Sequence, residues 1–129
     1  MMEDEVRISF FLPKPPSLNE FYAGKHFSVR TKYKNEYFKI LDSVFADIDA
    51  FHCEVFRIDV LHNTRLDCDN VILAVKFLAD YLRHCGMVEN DNRRYFKSFS
   101  IGVEEDAEVV RKDFLKVTLK VRGYVSRDN

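Results

Sequence analysis

Hydrophobic and polar positions alternate along "VRISFFL", with Val6, Ile8, Phe10 and Leu12 on one side, and this period of two predicts a strand. "PKPPSLNEF" then interrupts regular structure, because its three prolines fix φ and Pro15 and Pro16 bring no backbone donor. From Lys32 to about Asp49 the period changes. Tyr33, Tyr37, Leu41, Val44, Ile48 and Phe51 recur at intervals of three and four, which predicts an amphipathic helix. "EVFRIDVL" alternates again, with Phe56, Ile58 and Val60 set against Arg57 and Asp59, and predicts a second strand.

A second helix is expected after "RLDCD". Val71, Ile72, Val75, Leu78, Ala79 and Leu82 form its apolar stripe, and Gly86 is a suitable stop. "MVENDNRR" reads as a loop, and residues 95–103 and 114–121 as two closing strands joined by the acidic turn "EEDAEVVRKD". The order βαβαββ predicts an α+β fold, in which a mixed sheet packs against two helices. A single domain is expected over residues 1–129, with 126–129 as a loose tail.

Composition narrows the setting. The acidic start "MMEDEV" and the short apolar run after it do not resemble a secretory signal, and no stretch approaches the roughly 18 apolar residues of a membrane span. Cys53, Cys68 and Cys85 are odd in number and lack CxxC spacing, so a reducing cytoplasm is expected rather than a disulfide scaffold or a zinc knuckle. His26, His52, His62 and His84 show no ligand spacing and are expected to be ordinary surface or strand residues. The net charge of −1 conceals a segregation. Between Lys25 and Lys39, Lys25, Arg30, Lys32, Lys34 and Lys39 face only Glu36. Between Ile40 and Asp59, Asp42, Asp47, Asp49, Glu54 and Asp59 face only Arg57. A locally basic stretch binds phosphates even in a neutral molecule, although a solvated helix start has the same charge pattern.

The candidate chemistry lies in "RLDCDN". Asp69 sits where a helix N-cap belongs. If the chain is still extended there, Asp67 and Asp69 point to the same side and Cys68 away from it. Two converging carboxylates repel unless a cation or a proton lies between them, and oxygen donors suit Mg²⁺ or Mn²⁺ rather than zinc. Cys68 is then a small buried hydrophobe. Asp69, Leu73, Lys76, Asp80 and Arg83 are expected to share one helix face, with Lys76 leaning back toward the carboxylates. An exposed Lys76–Asp80 pair is the simpler account of that face. Asp91 falls in the loop that follows.

"DCDNVILAVKFLADYLRHCGMVENDN" resembles the core of the RusA family of Holliday junction resolvases. The family's D-x-D-N corresponds to Asp67, Asp69 and Asn70, its lysine and aspartate to Lys76 and Asp80, and its closing Gly and acid to Gly86 and Asp91. "PPSLNEFY" is similar to its Pro-Pro-Ser-x-Asn segment, with Asn19 as the asparagine. Two departures stand out: Leu73 occupies the usual lysine position, and Asn90 replaces the first acid of an acidic pair.

The resemblance implies a homodimeric, Mg²⁺-dependent endodeoxyribonuclease that resolves four-way DNA junctions by paired nicks, with Mn²⁺ able to substitute. Asp67, Asp69 and Asp91 would hold the metal, Lys76 would act in catalysis, and Asn70 and Asp80 would support them. Lys14, Asn19, Lys25, Arg30, Lys32 and Lys34, with Arg7 near in sequence, would hold the DNA backbone. The alternative is a branched-DNA-binding module of the same fold that no longer cuts. A helix from Asn70 to Cys85 is about 24 Å long, so Asp91 either returns along it within one chain, the favoured expectation, or comes from a two-fold partner.

Overall fold

Alternation along residues 114–122 puts Leu115, Val117, Leu119 and Val121 on one side. All four are buried in a computed structural model of the chain, which describes residues 4–17, 21–22 and 27–127. The elements run β1 (Val6–Pro13), α1 (Phe27–Phe45), β2 (Phe51–His52), β3 (Val55–His62), α2 (Cys68–His84), β4 (Phe96–Val103), β5 (Phe114–Arg122) and β6 (Val125–Ser126). The larger sheet has the order β1-β5-β3-β4. β1 and β3 run antiparallel to β5, and β4 runs parallel to β3. This is a single α+β domain with a mixed sheet and two helices, as the alternating periods predict.

The helices cover the sheet side that carries Phe10 and Leu12 of β1, Phe56, Ile58 and Val60 of β3, and the buried residues of β5. α1 meets β1 through Phe10 and Phe45, whose rings are 5.4 Å apart, and through Tyr37, whose hydroxyl donates to Pro13 O at 2.8 Å. α2 meets α1 through Phe77 against Tyr37 and Tyr81 against Phe45, at 5.4 and 5.3 Å. The Tyr81 hydroxyl donates to Asp42 at 2.7 Å, so this partly buried contact has its polar atom satisfied.

Three boundaries differ from the periodic reading, the first being the start of α1, which lies at Phe27 rather than Lys32. α1 stops at Phe45, because the next turn tightens: Asp47 N–H donates to Val44 O and Ile48 N–H to Phe45 O, each an i to i−3 bond. Phe51 is therefore not on the helix stripe. It is fully buried in β2 and stacks on Tyr124 at 5.4 Å. The expected tail is shorter as well, since Ser126 pairs with Phe51 and Arg127 N–H donates to Ala50 O at 2.8 Å. Residues 128–129 lie outside the described residues.

Gly123 turns the chain from β5 into β6 with φ of +69°, and a Cβ there would stand 2.5 Å from Glu54 Cγ. Gly123→Ala is expected to lower stability by roughly 1–2 kcal/mol, the usual penalty for an L-residue in left-handed geometry. Ile58→Ala, at the buried centre of β3, is expected to lower it by about 2–5 kcal/mol. Urea unfolding of both variants beside the wild type measures these losses.

Candidate functional site

β3, α2 and β4 form one parallel crossover, and it decides where the candidate residues fall. α2 starts just beyond the C-terminal end of β3 and runs back along the sheet, and the loop after it feeds the neighbouring strand β4 at the opposite end of the strands. The N-cap is Asp67 rather than Asp69, which lies in the first turn. The chain has already turned there, with Asn70 N–H donating to Asp67 O at 2.9 Å, so strand alternation does not pair the two carboxylates. They are instead exposed neighbours at one helix end. Asp67 keeps an extended backbone (φ −69°, ψ 155°), and its side chain makes no capping hydrogen bond. Neither carboxylate has an ion pair among the described residues.

The approach to this end is braced from below. Thr64 Oγ1 accepts from Leu66 N–H at 3.0 Å and lies 3.0 Å from His62 Nδ1. Nε2 of the same ring is 3.5 Å from Cys68 Sγ. His62 is fully buried, which the sequence did not suggest, and burial pushes its pKa below the ordinary value so that the ring stays neutral. Cys68 thus turns in toward His62, while Asp67 and Asp69 remain in solvent.

Farther along α2 the expected polar face is broken. Leu73 is buried, because the helix buries residues on more than one side, Val71 to Leu82. Lys76 is exposed, about 10 Å along the axis from Asp69. Asp80 pairs not with Lys76 but with Lys34 of α1, at 3.0 Å. Asn70 is partly buried in the first turn.

Asp91 lies at the far end. Its carboxylate is 3.8 Å from the Arg83 guanidinium and meets the Asp80 carboxyl. Its N–H donates to the Asn90 side chain at 2.8 Å, which gives the asparagine at that position a local role. Burial pushes the Asp91 pKa up, the Asp80 carboxyl pushes it further, and Arg83 opposes both. Asp91 meets Asp80 and Arg83 near the C-terminal end of α2, so about 20 Å of helix separates it from Asp67. The return of Asp91 along one chain is therefore not made, since the parallel crossover between the neighbouring strands β3 and β4 holds the two ends of α2 at opposite ends of the strands. Among the described residues no three His, Cys, Asp or Glu side chains are placed to hold a metal ion.

Of the expected DNA contacts, Lys14 is exposed at the end of β1, and Lys32 is exposed on α1. The Arg30 guanidinium lies 5.8 Å from the Tyr22 ring, and Lys34 is engaged with Asp80. Asn19 and Lys25 lie outside the described residues. One feature escaped the sequence reading. Arg7, Lys120 and Arg57 are paired across three strands on the uncovered side of the sheet. The i, i+2 spacing of Lys116, Thr118, Lys120 and Arg122 was the available signal.

Comparison with known protein families and with curated proteins finds no match to this chain. Among the described residues, no helix is long and apolar enough to cross a membrane.

The Asp80–Asp91–Arg83 contacts have a pH signature. A carboxyl whose folded pKa lies above its unfolded value favours the fold at low pH, and that contribution is lost as pH rises through the folded pKa. Arg83→Ala is expected to raise the Asp91 pKa further and Asp80→Asn to lower it. Carboxyl-detected NMR titration of the three proteins reads both shifts.

Proposed function

We propose that this protein is a divalent-metal-dependent endodeoxyribonuclease of the RusA type, acting as a homodimer on four-way DNA junctions. The observation that carries the reading is the pair Asp67 and Asp69. Both are exposed at the start of α2, they have no cationic partner among the described residues, and the N-cap carboxylate is not used for capping. They lie beyond the carboxyl end of a parallel strand pair, where ligand sites of open α/β units commonly form. An all-oxygen donor set fits Mg²⁺ or Mn²⁺. Asp67 and Asp69 would hold such an ion, and when bound it would supply an activated water and charge neutralisation at the scissile phosphate.

The chain's own side chains divide the remaining work. Side chains on a helix lean toward its N-terminus, so the Lys76 ammonium would be directed toward a phosphate near Asp69 and would offset charge developing there. Lys14, Arg30 and Lys32 hold the sugar–phosphate backbone, which sets register without reading sequence. Lys34 acts through Asp80, fixing the end of α2 against α1. The third carboxylate comes from a second copy. A two-fold axis that sets the α2 helices antiparallel brings Asp91 of each subunit to Asp67 and Asp69 of the other. Arg83 and Asp80 then keep Asp91 poised at the helix end until the copies meet.

A second reading is a junction-binding protein that does not cut. Asn90 in place of an acid and the separation of Asp91 from Asp67 within one chain favour it.

A labelled synthetic four-way junction incubated with Mg²⁺ is expected to be nicked by the wild type and not by Asp69→Asn, with linear duplex left intact. Binding without metal-dependent product in the wild type would sustain the second reading instead. Subunit sharing has its own readout. Asp69→Asn and Asp91→Asn are each inactive alone, but mixed and re-paired they regain about a quarter of the wild-type sites, because half the dimers carry one intact shared site. No recovery on mixing would sink the shared site.

A further inference from the structure

Neither helix covers the other side of the four-stranded sheet, where among the described residues only 107–111 approach its Phe11 end, and the strand register sorts it into three rows. Arg7, Lys120 and Arg57 form the first row across β1, β5 and β3. Ser9, Thr118, Asp59 and Ser100 form the second across all four strands. Phe11, Lys116 and Leu61 form the third, with Phe11 53% and Leu61 39% exposed. Lys97 and Arg122 flank the first row, beside the irregularity between Phe56 and Arg57.

Charge on this face runs against that of the whole molecule. Six cations, Arg7, Arg57, Lys97, Lys116, Lys120 and Arg122, meet the carboxylates of Glu5 and Asp59, with Glu108 and Arg111 beside Phe11 at one end, in a chain whose net charge is −1. Glu5 is shared between Arg57, at 2.7 Å, and Arg7, at 3.3 Å. Asp59 accepts from Lys120 and from Ser100, at 2.5 and 2.7 Å. The Arg57 hydrogen bond holds Glu5 below its usual carboxylate range. Burial pushes Asp59 up, but its bonds to Lys120 and Ser100 bring it below its ordinary value. These contacts orient three of the cations. The other three, Lys97, Lys116 and Arg122, have no ion pair among the described residues.

Oriented cations, a row of hydroxyls and an exposed aromatic ring are the groups that engage a sugar–phosphate backbone. A protein surface would need carboxylates matched to six cations, three of them held in place, whereas a nucleic-acid backbone presents a negative charge at every phosphate. We infer that the open face of the sheet binds the backbone of a second DNA segment, on the opposite side of the sheet from Asp67 and Asp69. This rests on the reading that DNA is the substrate. A branched junction suits such an arrangement, because it offers an arm that is held while another strand lies at the carboxylates.

The test is the affinity of a fluorescent four-way junction, measured in EDTA over a series of salt concentrations, so that cutting plays no part. Three proteins are compared: wild type, Lys97→Glu/Lys116→Glu/Arg122→Glu, and a charge-matched control with reversals at Arg93, Arg94 and Lys112. The open-face variant is expected to bind at least about tenfold more weakly, and its salt dependence to be shallower by about two to three ions. The control keeps most of the affinity. Equal losses in both variants would assign the effect to bulk charge and overturn the inference. So would unchanged affinity and slope in an open-face variant that melts like the wild type. Cleavage in Mg²⁺ is scored separately, so loss of the open-face inference leaves the nuclease reading standing. A wild type that binds no DNA removes both.

Discussion

Helix α2 has to be covered on more than one side, and the rest of the structure is arranged around that requirement. Residues from Val71 to Leu82 are buried along it, more than a single stripe facing a sheet accommodates. The sheet covers one side and α1 another, where Tyr37, Phe38 and Phe45 meet Phe77 and Tyr81. A helix so enclosed cannot slide or rotate without opening close-packed surfaces. Its two ends, and the carboxylates on them, are thereby fixed at opposite ends of the strands.

The elements that follow a clean period were legible in the sequence. β1, β3 and β5 alternate strictly because one side is buried and the other is wet, and Ile58 and Arg57 show that rule in adjacent residues. Leu73 was misplaced because a one-stripe picture of α2 leaves no room for a second covered side. Phe51 continued the spacing of α1 only by coincidence; its burial comes from a two-residue strand whose partner, Ser126, lies far along the chain. His62 followed the strand pattern, but its neutral, enclosed setting depends on Thr64 and Cys68, which no local period reveals.

The candidate site shows the same division. The two carboxylates of "RLDCDN" and their place at a helix start were legible, because strand-to-helix handover leaves a strong local signature. The partnering of Asp80 was not. An i, i+4 neighbour on the same helix, Lys76, competes with a lysine on another helix, and packing between α1 and α2 decides for Lys34. The position of Asp91 was likewise set by topology, since a parallel crossover returns the chain to the strand's starting edge. Charge segregation was visible along the helical stretch but hidden in the strands. There alternate residues divide between the two sides of a sheet, and the basic residues of β1, β3 and β5 collect only when the strands pair.

The pairing of β1 with β5 joins Val6 to Val121, nearly the full length of the chain. β3, α2 and β4 are by contrast consecutive, and their contacts close early and locally. Long-range pairing of this kind is slow to form, because the loop must be closed before any contact compensates for it. During synthesis β1 has no β5 to pair with until about a hundred further residues have been made. Its lysine and proline ending, Pro13 to Pro16, gives that waiting strand little tendency to pair with strangers.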